Sequence, residues 1–355
     1  MLKTSHWPLL DWLRFFAALL VVLDHARQFT FGSYQDLDPH AKGTVAAVLI
    51  FATMRFGKHG VLIFFVLSGY LVGGLATKRF LEGRFDPRGY ALDRAARIFV
   101  PLIPAIALCS VLQIWLGIPI RFQDPVSAML GLPTGALLSD VPLWSLRYEM
   151  WFYVFHGAVL SLLLPSRGVR IIAFGFLMAS LVAFSFLALQ YLFCWYLGVL
   201  SFLTNTGLAS RRSGFAGAAI ALAFLTMSQA FARSSFLGPM TILGATGFSA
   251  GCLLLLPQLA NRDLSSPRLV RLGGGLAAFS YSLYLIHYPV LLVLGRYLPP
   301  VHRIDFANCA LLAGRVAIAM LAGYVFYLAF ETHIGRVRSW LRSGWHRTER
   351  VETAS

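Results

Sequence analysis

The chain has 355 residues, room for two or three soluble domains, but 58% are hydrophobic, only 13% are charged and the mean hydropathy is +0.70. That composition excludes a soluble globule, which needs more charged surface, and points to a polytopic membrane protein whose helices are apolar on every face. Thirty Lys and Arg against fifteen Asp and Glu leave a net charge of +15, in a membrane protein a matter of loop distribution before nucleic acid.

From the N-terminus, Lys3 precedes a short apolar core at 15–23, the outline of a signal peptide. That core runs into Asp24-His25-Ala26-Arg27 instead of a small-x-small cleavage site, so an uncleaved first span is expected. At about 1.5 Å per residue a hydrocarbon core of roughly 30 Å needs about 20 residues. Ten segments qualify, near 8–26, 59–77, 98–117, 143–164, 171–188, 189–204, 215–231, 240–258, 273–295 and 307–331. The charge-free run 171–204 would extend about 50 Å as one helix, so it is divided near Gln190. With the N-terminus inside, the predicted cytoplasmic segments hold 19 Lys and Arg, the outer segments 8 and the spans 3. The expected fold is therefore an all-α integral membrane protein of about ten transmembrane helices with both termini cytoplasmic. Residues 1–335 read as one membrane domain and 336–355 as a short basic tail. Trp340 and Trp345 alternate there with arginines, as in an amphipathic end lying on the membrane.

Two outer loops, about 27–58 and 118–142, are long enough to cover a binding site, and the first carries the apolar stretch VAAVLIFATM, suited to the interface or to re-entry. Cys109, Cys194, Cys252 and Cys309 all lie in apolar runs, so neither a disulfide framework nor a metal site is expected. There is no repeat of fixed period.

An ionisable group inside a span is costly unless it faces a polar interior, which makes each one a functional candidate. Span one carries Asp11, Arg14, Asp24 and His25. Arg14 and His25 are eleven positions apart, about 20° from a whole number of turns and about 16.5 Å along the axis. One stripe thus offers a cation near the cytoplasmic side and an imidazole near the outer side. The competing reading has Arg14 snorkelling to inner headgroups and His25 bonding in the outer interface. His59 opens span two at its outer boundary and reads equally as an interfacial histidine. Arg94 and Arg97, one turn apart at a cytoplasmic helix start with Pro101 and Pro104 behind them, suit a phosphate grip or plain positive-inside anchoring. In span four Ser145 and Glu149 share one face at the outer side, where the carboxylate suits orienting a histidine or joining an ion pair. Arg147 points elsewhere, and His156 reads as core. In span nine Ser280, Tyr284 and His287 form a polar stripe, with Tyr281 and Tyr288 on other faces as interfacial aromatics. Arg315 and Glu331 read as structural, with no partner assigned.

Five stretches, in this order, resemble the acyltransferase family 3 membrane proteins, which include bacterial sugar O-acetyltransferases. They are Arg14 with His25 after a ten-residue gap, HGVLIFFVLSGYL from His59, RAAR at 94–97, WSLRYEMWFY at 144–153 and SYSLYLIHYPV at 280–290. Two departures from the family pattern stand out. Pro101 falls one position late after the Arg-Ile pair, which touches the geometry behind Arg97, and Glu331-Thr332-His333 replaces Glu-Arg-Pro, at what reads as a peripheral anchor. Many relatives also carry a fused extracytoplasmic esterase-like domain. None is seen in this sequence, so the membrane domain is expected to act alone or with a separate protein.

The resemblance implies transfer of an acyl group, usually acetyl, from cytoplasmic acyl-CoA to a hydroxyl of an extracytoplasmic or lipid-linked carbohydrate, in a bacterial inner membrane. The donor is a substrate, and no bound cofactor, metal or nucleic acid is expected; polysaccharide-assembly proteins are candidate partners. The expected roles are His25 as general base with Glu149 orienting it, and Arg14, Arg94 and Arg97 as the acyl-CoA grip. His59, Ser145, Tyr284 and His287 are expected to shape the acceptor site or donate to the oxyanion. A covalent acyl-enzyme route stays open. So do a transporter or lipid-linked glycan flippase, and an inactive assembly scaffold, although the internal repeats usual in transporters are not seen.

Overall fold

A computed structural model describes residues 7–54, 56–132, 137, 140–205, 210–231 and 237–352, with side chains at 140–141, 229–231, 237–241 and beyond 343 outside the described set. Lys3, Arg55 and Arg233, which enter the loop-charge count, lie outside it as well. Among the described residues there is no strand. The helices are α1 (Pro8–Phe31), α2 (Val45–Thr53), α3 (Gly57–Ser68) running through a π-helical stretch (Gly69–Gly74) into α4 (Leu75–Leu81), α5 (Pro87–Trp115), α6 (Gln123–Leu130), α7 (Asp140–Leu162) and α8 (Arg167–Ser185). They continue with α9 (Leu189–Leu203), α10 (Arg211–Phe231), α11 (Leu237–Ala260), α12 (Pro267–Ala278), α13 (Ser280–Tyr297), α14 (Phe306–Ala329), a 3-10 turn at Glu331–His333 and α15 (Ile334–Glu352).

Helices fall on all ten ranges expected to span. Among the described residues five stretches are long and apolar enough on their own to cross a membrane, namely Val45–Leu81, Pro87–Trp115, Arg167–Ser185, Ile242–Ala260 and Phe306–Ser343. A sixth is added if α12 and α13, bent by 51° to one another, act as one span. The charge-free run breaks between Ser185 and Leu189, slightly ahead of Gln190. Span nine is not one straight helix: it breaks at Phe279, and α13 carries the whole Ser280, Tyr284, His287 stripe.

Helix α1 lies at the centre of the bundle, packed on α3, α12, α13 and α14, with Ala17, Ala18, Val22 and Ala26 fully buried. Small side chains let neighbouring backbones approach. The Cβ of an alanine at Gly60 would meet the Ala17 carbonyl. The helix runs five residues past its expected end because its charges neutralise one another: Arg27 donates to Asp24 at 3.0 Å, one turn back, and lies 4.8 Å over the Phe51 ring of α2. Ala47 and Phe51 bury the inner side of α2 while Val45, Val48 and Leu49 stay exposed.

The π stretch sits where α3 crosses α9 at backbone contact. A side chain on Gly69 would strike the Trp195 carbonyl, and one on Gly198 the Val66 carbonyl. His156 satisfies this region, facing the Gly73 carbonyl at 3.2 Å and the Tyr196 hydroxyl at 3.3 Å.

Arg315 has a structural task. Fully buried on α14, it donates to the Phe29 and Leu298 carbonyls and to the Thr30 hydroxyl, where α1 and α13 end. A cation is favoured at both helix C-termini, and one side chain ties three helices together. Arg315→Met leaves those acceptors without a donor, and is expected to cost about 3 kcal/mol in unfolding measured in detergent. A change within about 0.5 kcal/mol, the usual range for surface substitutions, would contradict this assignment.

Candidate active site

A cavity of about 540 Å³ is bounded by α1, α3, α5, α7, α13 and the start of α15. Four arginines line it: Arg14, Arg94, Arg97 and Arg338. Arg14 and Arg94 make no hydrogen bond or ion pair among the described residues. Arg14 feels Arg97, Asp11, Tyr153 and Glu149 only at electrostatic range, and Arg94 lies 5.7 Å over the Tyr153 ring. Arg97 differs. It is ion-paired with buried Glu331 and lies 5.3 Å over the Tyr281 ring, and Glu331 also accepts from the Ser282 hydroxyl at 2.6 Å and its amide at 3.2 Å. Glu331 is thus no peripheral anchor but the group that fixes one cavity arginine.

The second acid, Glu149, accepts from the Tyr153 hydroxyl, which also meets Ser68 at 2.9 Å; Ser68 receives the Trp195 indole N–H at 3.0 Å. With each acid held by its own donors, Arg14 and Arg94 have no counter-ion in contact. Cations left without a counter-ion around a concavity are a site for a large anion.

At another part of the wall Ser145 and Tyr284 share a hydrogen bond of 2.6 Å, and the Tyr284 hydroxyl also reaches the Pro142 carbonyl. A carbonyl only accepts, so the tyrosine proton points to Pro142 and the serine proton to the tyrosine oxygen. Neither proton faces the cavity, and an oxyanion role for these hydroxyls would need them to turn away from these partners.

One turn beyond Tyr284 on α13 is His287, with ring centroids 5.9 Å apart. His287 is fully buried, and its Nδ1 lies 2.8 Å and 3.0 Å from the Tyr284 and Leu283 carbonyls. Nδ1 therefore carries the proton, and Nε2 of the neutral ring is an acceptor. That Nε2 is 2.9 Å from His25 Nδ1, so His25 donates from Nδ1 and keeps a lone pair on Nε2. His25 Nε2 has no hydrogen-bond partner among the described residues; Tyr288 packs edge-on at 5.2 Å.

The fold thus brings Arg14, Arg94, Arg97, Ser145, Glu149 and Tyr284 to one cavity and seats His25 on His287 beside it. Glu149 makes no hydrogen bond to His25 among the described residues: its hydrogen-bond donor is Tyr153, and Arg14 feels its charge at electrostatic range, while the contact of α7 with α13 is made by Ser145 and Tyr284. His59 stands apart, bonded to Ser228 at 2.9 Å and packed on Phe248. Tyr281 and Tyr288, read as interfacial aromatics, have contacts inside the bundle: Arg97 lies over the Tyr281 ring, and Tyr288 packs on His25. Tyr153 has a sequence signal, since it lies four residues after Glu149 on the same helix face. Arg338 has no such signal in a tail that reads as surface-lying. The tail docks on α5, where Asp93 receives Arg342 at 2.8 Å and Arg338 at 3.7 Å.

Neither a curated protein nor a solved structure matches the chain. A family model does: the acyltransferase domain model matches residues 7–331, from the start of α1 to the glutamate that holds Arg97. A multi-pass helical bundle with a cationic cavity beside a paired histidine fits that match, and the chain belongs to acyltransferase family 3, as a membrane acyltransferase.

Proposed function

We propose that the protein transfers an acyl group, acetyl in the simplest case, from cytoplasmic acyl-CoA to a hydroxyl of an extracytoplasmic or lipid-linked carbohydrate. The observation that carries this reading is the cavity with Arg14 and Arg94 held in no ion pair among the described residues, whose wall reaches at Tyr284 the turn bearing the His287–His25 pair. In this reading ten helical segments cross a bacterial inner membrane with both termini cytoplasmic, in keeping with the positive-inside bias.

The phosphates of the donor lie against Arg14, Arg94 and Arg97, and the pantetheine arm extends along α1 toward His25, about 16 Å away along the axis. His25 Nε2 takes the proton of the acceptor hydroxyl as its oxygen attacks the thioester carbonyl. The new C–O bond forms, the C–S bond breaks, and the proton on His25 passes to the departing thiolate, leaving the ester and free CoA. His287 is a positioning residue: it fixes the His25 tautomer and ring direction. Glu149, through Tyr153, holds the ring on which Arg94 lies, and Ser145 and Tyr284 shape the cavity wall near the reacting end. His59, hydrogen-bonded to Ser228, is assigned to the acceptor side without contact to the reacting atoms.

The test is acyl transfer in membrane vesicles from labelled acetyl-CoA to a glycan acceptor. Label appearing in the glycan only when acetyl-CoA is on the cytoplasmic face supports the reading. Glycan movement across the vesicle without acyl-CoA, and no label incorporated, overturns it.

A further inference from the structure

Arg338 lies seven residues beyond the stretch matched by the family, yet its side chain lines the same cavity as Arg14, Arg94 and Arg97. It is also 44% exposed, which sets it at the cavity mouth. Resting on the acyl-CoA reading above, the charge balance asks for it. The CoA head carries three phosphate groups, and of the three arginines set against them Arg97 is already ion-paired with buried Glu331, so only Arg14 and Arg94 bring a cation held in no ion pair to a larger anionic load.

The present partner of Arg338 is a weak hold. Its Nε is 3.7 Å from Asp93 Oδ1, and the same oxygen receives Arg342 at 2.8 Å. Arg338 can leave Asp93 without stranding the carboxylate, because Arg342 stays on it. A guanidinium presents several donors in a planar fork, suited to a phosphate arriving at the mouth. Helix α15, docked on α5, brings this fork to the same opening as Arg94, the neighbour of Asp93 in the chain.

We propose that Arg338 is a further phosphate-binding residue for the nucleotide head of the donor, with Asp93 competing for it and Arg342 holding Asp93 when Arg338 turns. Arg338 and Asp93 therefore act with opposite sign on donor binding. A purely structural role for their contact, docking the tail on α5, gives both removals the same sign.

The experiment is calorimetric titration of coenzyme A into the full-length protein in lipid nanodiscs, for wild type, Arg338→Ala and Asp93→Asn, with thermal unfolding of each ligand-free protein. Loss of one charge-assisted phosphate contact is expected to weaken binding about tenfold in Arg338→Ala. Asp93→Asn is expected to bind as tightly as wild type or tighter. Wild-type affinity in Arg338→Ala, or equal weakening in both variants, overturns the assignment while leaving the donor reading in place. Absence of coenzyme A binding by the wild type overturns the donor reading and the assignment with it.

Discussion

His25→Ala is expected to abolish acyl transfer, by about 10³-fold or more, while folded yield and coenzyme A binding stay near wild type. The expectation rests on the tautomer sequence. Two carbonyls fix the proton on His287 Nδ1, His287 Nε2 then accepts from His25 Nδ1, and the remaining His25 nitrogen is left with a lone pair and no partner among the described residues. His287→Phe keeps His25 but removes its acceptor, freeing the ring to rotate and to change tautomer. The rate is expected to fall about 10² to 10³-fold with donor KM unchanged, since a positioning residue acts on the transition state more than on donor binding. Both are read from initial rates with purified protein and labelled acyl-CoA. Transfer in His25→Ala within tenfold of wild type would sink the base assignment.

Arg14→Gln is expected to raise the KM for acyl-CoA by more than tenfold with little change in thermal unfolding. Arg14 has no ion pair to lose among the described residues, and Asp11 and Glu149 act on it only at electrostatic range, so its removal strands no carboxylate of a contact pair and the larger effect falls on the anion in the cavity. Arg97→Gln makes the contrast, because Glu331 is then left buried with only the Ser282 donors. Removing one member of a buried pair costs about 3–5 kcal/mol, so this variant is expected to lose stability as well as donor affinity. KM and unfolding midpoint measured side by side separate the two arginines. Equal stability loss in both would make Arg14 a structural cation.

The sequence carries what one helix carries by itself. Arg14 and His25 share a stripe because eleven residues nearly close three turns, and Ser280, Tyr284 and His287 share a face of α13 for the same reason. It does not carry which stripes meet. His25 and His287 are 262 residues apart, and Arg97 and Glu331 are 234 apart, so their pairing is set by how α1, α5, α13 and α14 pack. Glu149 and His25 both read as lying toward the outer side, but depth alone does not fix the direction a side chain faces. Glu331 reads as a peripheral anchor because a helix end looks terminal in sequence, whereas the 3-10 turn folds it back onto Arg97. The tail carries a contact that its amphipathic composition does not show: the docking onto α5 is fixed by Asp93, far away in sequence, while Trp340 stays exposed on the other side.

The most direct measurement is mass spectrometry of surface glycans from cells with the gene, without it, and complemented with wild type or His25→Ala. A glycan heavier by one acyl group is expected in the presence of the gene, lost in its absence, restored by wild type and not by His25→Ala. Identical glycans in all four strains, or restoration by His25→Ala, would contradict it.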